Sequence, residues 1–380
     1  MDAVTLQLIL GRATGLTALK LRGALRRLGF AQPGIAAAEA LLAESAASLE
    51  NLGLPAAASA WLSAPERALI DADRRWHERH RIVLIDALSP GYPPQLAAIR
   101  DAPGVLFVRG RAATLSEPQL AMVGSRTPSI PGRRTAMQLA AELSRAGLTI
   151  TSGLALGIDA AAHEGALAAG GRTVAVLGAG LDQIYPRRHR PLAERIAADG
   201  ALVSELPRGA APVRWSFPRR NRLISGLSLG TLVVEAADDS GSLITARLAA
   251  RQRRAVFAIP GPIHNPQARG CHQLIRDGAR LVEGAPDILR EIPGFTAKQD
   301  DMTAALSRKR VTPPGTRLDK GHKILLDALG SESASVDMLV ERTGFPSQSI
   351  ASMLLFLELQ GAIGAEAGGR YVRLWDERHG

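Results

Sequence analysis

The spacing of apolar residues divides the chain into three regions, and the first is helical. Apolar side chains recur at helical intervals in Leu16–Phe30 and again in Ala36–Leu49, with Gly29 and Pro33 between the two stretches. This pattern predicts a helical, SAM/helix-hairpin-helix-like domain over residues 1-85. The Gly-apolar-Gly hairpin of a DNA-reading helix-hairpin-helix is absent from the sequence. A packing module or an interaction surface is therefore favoured over a DNA reader in this region.

The second region begins at Ile82, where short apolar runs alternate with amphipathic stretches. That alternation is typical of a parallel sheet covered by helices on both faces. The predicted strands are Val105–Val108, Gln119–Val123, Leu148–Thr151, Thr173–Leu177, Ala201–Ser204, Thr231–Val234 and Ala255–Ile259. The predicted helices lie near 131-146, 157-170, 189-199, 220-228 and 241-253. The fold class is therefore α/β, with a Rossmann-like, doubly wound parallel sheet as the core over residues 86-290.

The third region follows a polar stretch with several proline and glycine residues, which predicts a linker over 291-318. In residues 319-380 the pattern predicts three short helices and a hairpin, over 322-329, 335-343, 346-360 and 362-374. Three helices and a hairpin are typical of a C-terminal winged-helix-like domain. Its third helix carries no basic residue. A protein contact is therefore favoured over groove reading, and a transcription factor built on this domain is a weaker alternative function.

Glycine and polar motifs stand where predicted strands end and helices begin. They are Gly124-Ser125-Arg126, Ser152-Gly153, Gly178-Ala179-Gly180, Ser204-Glu205 and Ser240-Gly241-Ser242. Because the carboxyl ends of parallel strands meet at one edge of a sheet, we expect these motifs to converge on one ligand. Free N–H groups at the starts of helices favour an anion there.

Arginine clusters strengthen the expectation of an anionic ligand. Between Leu206 and Val234 the chain has no carboxylate but five arginines, namely Arg208, Arg214, Arg219, Arg220 and Arg222. No acid of that span can neutralise them, so we expect an external phosphate to do so. The formal net charge of +10 agrees with a nucleic-acid partner. Only five of the 46 basic residues are lysines, which suggests codon bias. The clustering of arginines is therefore stronger evidence for an anionic partner than the total net charge.

A second cluster combines an aromatic ring with cations. Tyr185 precedes Arg187, Arg188 and Arg190. Single-stranded nucleic acid needs a ring for a base and cations for the adjacent phosphates, and stacking contributes about 1–3 kcal/mol per base. A solvated start of a helix is the alternative. Arg126 directly follows a strand and is expected to project over the same edge of the sheet, unless it forms a structural ion pair.

Signals for catalysis are weak. Asp159 and His163 lie four residues apart, but a hydrogen bond along one helix explains the spacing. Glu235, with Asp238 and Asp239, could hold a metal or activate water, yet these acids could equally cap the following helix and order the arginines. The sequence contains no evident set of nucleophile, base and orienting residue. We therefore expect a binding protein and not an enzyme.

Cofactors, metals and membranes are also disfavoured. Gln183 occupies the place of the third glycine in a dinucleotide fingerprint that would begin at Gly178, so no cofactor is expected. The histidines are scattered, and the single cysteine, Cys271, excludes an internal disulfide. No run of about 18 apolar residues is present, so no membrane span is expected. A cytoplasmic location fits these features.

Several long motifs give the chain a family resemblance. They are Tyr92-Pro-Pro-Gln-Leu, Val105–Gly110, Val123–Arg126, Ser152–His163, Leu177–Pro186, Phe217–Gly226 and Ser240–Ala246. In this order they resemble the DNA-processing protein A family (DprA, also called Smf). The resemblance implies a protein that binds and protects incoming single-stranded DNA in natural transformation and loads the RecA recombinase. It also implies a core that dimerises. The chain departs from the family at Arg187-Arg188-His189, where relatives often have Lys-Glu-Asn.

The resemblance and the clusters together predict a DNA-binding set. Its members are Gly124, Ser125, Arg126, Gly153, Gly178, Gly180, Tyr185, Arg187, Arg188, Arg219, Arg220, Asn221, Arg222, Gly241 and Ser242. The main alternative is a nucleoside-monophosphate phosphoribohydrolase, an enzyme on a related fold with a Pro-Gly-Gly-x-Gly-Thr-x-x-Glu motif. Gly230, Thr231 and Glu235 are partly similar to that motif. However, three residues separate Thr231 from Glu235 instead of two, and no Pro-Gly-Gly precedes them.

Overall fold

The computed structural model describes residues 1–31, 34–292, 318–330, 333–366 and 368–374. The predicted helical N-terminus is confirmed. Its helices are α1 (Ala3–Arg12), α2 (Ala18–Arg27), α3 (Ile35–Leu42), α4 (Ala46–Asn51), α5 (Ala56–Ser63) and α6 (Arg67–His80). Side chains of Asp2, Thr17 and Ser45 accept hydrogen bonds from backbone N–H groups in the first turns of α1, α2 and α4. These caps fix where the helices begin, because the first N–H groups of a helix have no partner within it.

The central sheet has nine strands in the described residues, in the order β1-β2-β6-β5-β4-β3-β7-β8-β9. The strands are β1 (Ile82–Asp86), β2 (Val105–Gly110), β3 (Gln119–Gly124), β4 (Thr149–Ser152), β5 (Thr173–Val176), β6 (Ala201–Ser204), β7 (Gly230–Val234), β8 (Ala255–Ala258) and β9 (Arg280–Leu281). Every neighbouring pair from β6 to β9 is parallel. The predicted doubly wound parallel sheet is thus confirmed.

One edge of the sheet differs from the prediction. β2 runs antiparallel to β6, and β1 runs antiparallel to β2. The connection from β1 to β2 contains only the short helix α7 (Pro94–Ala97). An antiparallel neighbour needs no crossover helix, whereas a parallel neighbour does. The apolar run of β2 alone could not reveal its direction.

Helices cover both faces of the sheet. They are α8 (Ile130–Arg145), α9 (Ile158–Ala168), α10 (Arg190–Asp199), α11 (Ser216–Leu227), α12 (Gly241–Arg251), α13 (Arg269–Arg276) and α14 (Ala285–Glu291). The strands β4 to β7 are buried along their whole length. That burial explains why they read as continuous apolar runs in the sequence. The strand order reverses between β3 and β7, so a topological switch point lies there.

The predicted winged-helix domain is confirmed in the described residues. It comprises α15 (Lys320–Leu329), β10 (Ala334–Ser335), α16 (Val336–Thr343), α17 (Ser347–Leu359), β11 (Ile363–Glu366) and β12 (Arg370–Arg373). It contacts the sheet domain at α8, where Arg134 Nη1 donates to the carbonyl oxygen of Leu374 at 2.6 Å. The predicted linker lies mostly outside the described residues. None of the described helices is long and apolar enough to cross a membrane.

Candidate nucleic-acid interface

The loops that follow β3, β4, β5 and β6 lie at one edge of the sheet, which we call the rim. Direct contacts join them. The N–H of Ile158 donates to the carbonyl oxygen of Ser125 at 3.0 Å, which links the loop after β4 to the loop after β3. His189 Nδ1 lies 2.9 Å from the carbonyl oxygen of Leu154, which links the loop after β5 to the loop after β4. The loops after β3, β4 and β5 therefore lie together, although their motifs are distant in sequence.

The loop after β4 is held by a carboxylate of the chain itself. Oδ2 of the buried Asp159 accepts hydrogen bonds from the N–H groups of Gly153, at 3.1 Å, and Ala155, at 3.3 Å. Burial raises the pKa of Asp159, while the nearby Arg220 and these two amide donors lower it. We expected free amides here to bind an external phosphate. Because Asp159 uses them, the loop is organised from within and Asp159 is a structural residue.

Arg220 has a structural position too. Its guanidinium is buried, with 6% of the residue exposed. Nη1 donates to the carbonyl oxygen of Gly153 at 2.8 Å and to that of Val176, and Nε donates to Asn221 Oδ1 at 3.3 Å. Burial, the largest cause, lowers the pKa of Arg220 to about 10. Arg220 therefore ties the ends of β4 and β5 together, and its burial is incompatible with the predicted phosphate contact.

Three other arginines of the acid-free span, Arg208, Arg219 and Arg222, have acidic partners elsewhere in the chain. Arg222 lies 2.5 Å from Glu205 Oε2 and 3.1 Å from Asp101 Oδ2, and it is buried. Arg219 Nε lies 3.6 Å from Glu205 Oε1, with 38% of its side chain exposed. Arg208 Nη1 lies 3.4 Å from Oδ1 of Asp73 in α6. All three arginines thus have acidic partners within the chain. The expectation that these arginines need an external anion is wrong, because acids outside the span fold back onto it.

Five arginines of the rim loops remain available. Within the described residues no ion pair or side-chain hydrogen bond engages them, and all are exposed. We call them the exposed arginines: Arg126, Arg187, Arg188, Arg190 and Arg214. We call Arg208, Arg220 and Arg222 the anchored arginines. Arg126 also lies close enough to Arg220 for its charge to lower the pKa of Arg220, which places it beside the loop after β4.

Two aromatic rings near the exposed arginines contact each other. Tyr185 is 53% exposed, and its ring centroid lies 5.5 Å from that of Phe217 in the first turn of α11. The loop after β5 and the start of α11 therefore share one aromatic surface. Phe217 is not among the predicted DNA-binding residues. Its position between Arg214 and Arg219 carried the same combination of ring and cations that drew attention to Tyr185, so this signal was available.

The predicted glycines have packing roles. A methyl group at Gly124 would clash with the carbonyl oxygen of Val234, and one at Gly153 would lie 2.6 Å from Arg220 Nη2. At Gly178 it would lie 3.0 Å from the Phe217 ring, and at Gly180 it would lie 2.5 Å from the carbonyl oxygen of Pro207. Gly153, Gly178 and Gly180 are buried. These glycines allow the rim loops to approach one another, and burial argues against direct DNA contacts.

The remaining predicted residues are less central. Ser125 is buried, and its Oγ accepts from the N–H of Thr127 at 3.1 Å. Gly241 and Ser242 begin α12 after β7, on the opposite side of β3 from β4. Ser240 Oγ and Ser242 Oγ are 2.7 Å apart, which closes that turn on itself. The described contacts therefore do not unite this turn with the aromatic pair.

Glu235 follows β7 at the switch point and caps α8. Its carboxylate accepts from the N–H of Ser129 at 2.8 Å and from Ser129 Oγ at 2.5 Å. The same Ser129 Oγ accepts from the N–H of Gly132 in the first turn of α8. The predicted cap on the helix that follows Glu235 is wrong, because the carboxylate binds at the start of α8 and Ser240 caps α12. In the described part of the chain, no group of three or more His, Cys, Asp or Glu side chains has the proximity needed for a metal ion.

The suggested pairing of Asp159 with His163 is replaced by other bonds. His163 Nδ1 lies 2.6 Å from Thr173 Oγ1 on β5. Burial lowers the pKa of His163 to about 3, so the ring is neutral at physiological pH. Both side chains serve packing beneath the rim.

Comparison with known families covers both major domains. The sequence model described as DNA recombination-mediator protein A matches residues 83–293. A second model, the DprA winged helix domain, matches residues 309–369. Protein Smf of Escherichia coli is 46% identical over 318 residues, which are 83% of this chain and 84% of that protein.

Two solved structures are similar to this chain, and the first agrees with these matches. DNA processing protein A from Streptococcus pneumoniae superposes with a TM-score of 0.65 at 35% identity, covering 75% of this chain and 96% of that one. DNA processing protein A from Helicobacter pylori, described for its unique single-stranded DNA binding mode, gives a TM-score of 0.49 at 28% identity. That match covers 60% of this chain and 97% of the other.

Proposed function

Because this chain belongs to the DNA recombination-mediator protein A family, we propose that it binds single-stranded DNA along its rim. In this proposal the protein protects the strand and passes it to the RecA recombinase during natural transformation. The exposed arginines hold phosphates, and the aromatic pair Tyr185 and Phe217 stacks against bases. Protection and transfer are binding events, so the proposal includes no bond-breaking step.

One observation carries the proposal. All five exposed arginines lie in the rim loops and have no acidic partner in the described residues, although acids neutralise other arginines nearby. A cluster of unpaired cations raises the local concentration of a polyanion and binds it by releasing its counterions. Since Arg126 and the Arg187–Arg190 segment flank the loop after β4, they can contact successive phosphates of one strand.

The aromatic pair favours a single strand over a duplex. A base of a single strand exposes its π-face, whereas a base in a duplex is stacked between its neighbours. Tyr185 is exposed and lies against Phe217, so a base can stack there beside cations that hold the adjacent phosphates. Stacking of this kind tolerates every base. We therefore propose binding without strong sequence preference.

The position of Glu235 favours binding over the phosphoribohydrolase alternative. An enzyme of that class needs its glutamate directed at a bound nucleotide. Here both carboxylate oxygens of Glu235 bond to Ser129 at the start of α8. The carboxylate thus occupies the position at the switch point where a nucleotide phosphate commonly binds.

We also propose that the protein acts as a homodimer. Ile263, in the segment after β8, is 75% exposed, and Leu281 on the edge strand β9 is 50% exposed. Exposed apolar side chains, one of them on an edge strand, favour association with another chain. Light scattering of the full chain, compared with an Ile263→Glu variant, tests this part of the proposal.

The primary test is a titration of the full chain with fluorescent single-stranded DNA, competed by unlabelled duplex of the same length. We expect tight binding that the duplex displaces poorly. Equal displacement by duplex and single strand would contradict the role of the aromatic pair.

Incubation with nucleoside monophosphates and an assay for free base tests the phosphoribohydrolase alternative, and turnover abolished by Glu235→Gln would establish it. RecA filament assembly on coated single strands, with and without the chain, tests the transfer step.

A further inference from the structure

The helical N-terminal domain touches the rim through one buried carboxylate. Asp73 of α6 is only 1% exposed. Its Oδ2 lies 2.5 Å from Arg12 Nε at the end of α1, and its Oδ1 lies 3.4 Å from Arg208 Nη1 in the loop after β6. Asp73 therefore joins two arginines that belong to different domains.

Further contacts join the helical domain to the loop after β6 beside Asp73. Arg12 Nη2 donates to the carbonyl oxygen of Arg208 at 3.1 Å. The guanidinium carbon of Arg208 lies 6.0 Å from the centroid of the Trp76 ring, one turn along α6 from Asp73. A cation over an indole face is attracted to it. The helical domain thus holds both the backbone and the side chain of Arg208.

Arg208 belongs to the segment that carries part of the proposed DNA site. Residues 205–215 connect β6 to α11 and include the exposed Arg214. The other side of this segment is fixed by the loop after β5, because the N–H of Gly209 donates to Asp182 Oδ1 at 3.0 Å and the N–H of Gly180 donates to the carbonyl oxygen of Ala210 at 2.9 Å. At its end Ser216 Oγ donates to the carbonyl oxygen of Gly178 at 2.5 Å.

We propose that Asp73 is a positioning residue through which the helical domain orders the 205–215 segment and so preorganises Arg214 for single-stranded DNA. This inference rests on the proposed function. Ordering the segment in advance lowers the conformational entropy lost on binding. The helical domain contributes to affinity in this way without contacting the strand.

The direction in which Asp73→Asn changes the affinity for DNA distinguishes a positioning role from a simple electrostatic effect. Asp73→Asn removes one negative charge near the rim, so a charge effect alone leaves DNA binding unchanged or tighter. Loss of positioning weakens it. Asp71→Asn is the matched control, because Asp71 lies on the same helix, is exposed and undergoes the same change of charge. Asp73→Asn leaves Arg12 and Arg208 without their shared counterion, so Arg12→Lys serves as a milder second variant.

The experiment measures single-stranded DNA affinity and amide hydrogen exchange of the full chain. We expect Asp73→Asn to raise Kd by about three- to tenfold and Arg12→Lys by less, with Asp71→Asn within about twofold of the parent protein. Without DNA, amides in 208–213 should exchange faster in Asp73→Asn than in Asp71→Asn. In an Arg214→Gln background, Asp73→Asn should have little further effect on Kd, because Asp73 acts through the segment that carries Arg214.

The outcomes separate the two proposals. If the parent protein binds DNA but Asp73→Asn and Asp71→Asn behave alike, the positioning role is overturned. The same holds if exchange in 208–213 is unchanged, a result that needs no DNA. If the parent protein fails to bind single-stranded DNA, the proposed function itself is overturned, along with the consequence drawn for Asp73. Equal weakening by Asp73→Asn in the parent and Arg214→Gln backgrounds also overturns the inference.

Discussion

The exposed and the anchored arginines carry the same side chain but have opposite environments. Arg214 and Arg222 lie eight positions apart, yet Arg214 is exposed without an acidic partner among the described residues, while Arg222 is buried between Glu205 and Asp101. Arg220 is buried against backbone carbonyl groups. The difference shows that an arginine-rich segment can supply both the ligand surface and the framework beneath it. Only the three-dimensional position of each guanidinium distinguishes the two roles.

The largest expected effect is on stability and comes from an anchored arginine. Arg220→Met leaves the carbonyl groups of Gly153 and Val176 without a donor and the buried Asp159 without its cation. We expect the free energy of unfolding to fall by about 3–5 kcal/mol in denaturant titrations. Arg126→Ala is the control and should leave it unchanged within about 0.5 kcal/mol. Equal effects of the two substitutions would contradict the distinction between the groups.

The next effect is on binding through the aromatic pair. Tyr185→Ala removes a stacking surface that is half exposed and contacts Phe217. We expect single-stranded DNA affinity to fall by about 1–3 kcal/mol, measured by fluorescence titration at constant salt. Tyr185→Phe keeps the ring and should bind like the parent protein. A loss as large for Tyr185→Phe as for Tyr185→Ala would show that the hydroxyl group acts, and not the ring.

A smaller effect is expected for each exposed arginine. Arg126→Ala should weaken binding roughly fivefold at moderate salt, since an exposed ion pair contributes up to about 1 kcal/mol. The double variant Arg187→Ala with Arg188→Ala should lose more. Circular dichroism and thermal unfolding should show little change, because these side chains have no partner in the described structure. Destabilisation comparable to that of Arg220→Met would place these arginines in the anchored group.

The last effect is on stability in acid, and it involves the framework under the rim. Burial lowers the pKa of His163 to about 3, whereas a histidine in an unfolded chain titrates near pH 6.5. Between these values the unfolded chain binds more protons, so the free energy of unfolding should decrease as pH falls below about 6.5. Denaturant midpoints from pH 4 to 8 check this. In His163→Gln, the difference between the numbers of protons bound by the unfolded and folded chains should be smaller by about one. An unchanged pH dependence of the free energy of unfolding would contradict a buried, neutral His163 ring.

Much of the fold could be predicted from the sequence. The strand Ala201–Ser204 was predicted at its observed bounds, because a buried parallel strand is a short apolar run with a sharp limit at each end. The strand β9 was missed, since Arg280 and Leu281 are two exposed residues without an apolar run. The direction of β2 was also beyond prediction, because periodicity reports which residues are buried and not which way a strand runs.

The candidate site was predicted only in part. Arg126 and Tyr185 could be selected because each follows a predicted strand in a motif of cations, glycines or rings. The anchoring of Arg222 could not, since its partner Glu205 stands one residue before the acid-free span and Asp101 lies more than 100 residues earlier. An acid-free stretch of sequence therefore does not imply an acid-free neighbourhood in the fold.

The most direct test of the central claim is the salt dependence of single-stranded DNA binding by the full chain. If the five exposed arginines each contact one phosphate, the slope of log K against log salt concentration should be about −3.5. Arg126→Ala should flatten that slope by about 0.7, and Arg214→Gln should do the same. Binding that does not depend on salt, or a slope that neither substitution changes, would contradict the claim that these arginines hold the strand.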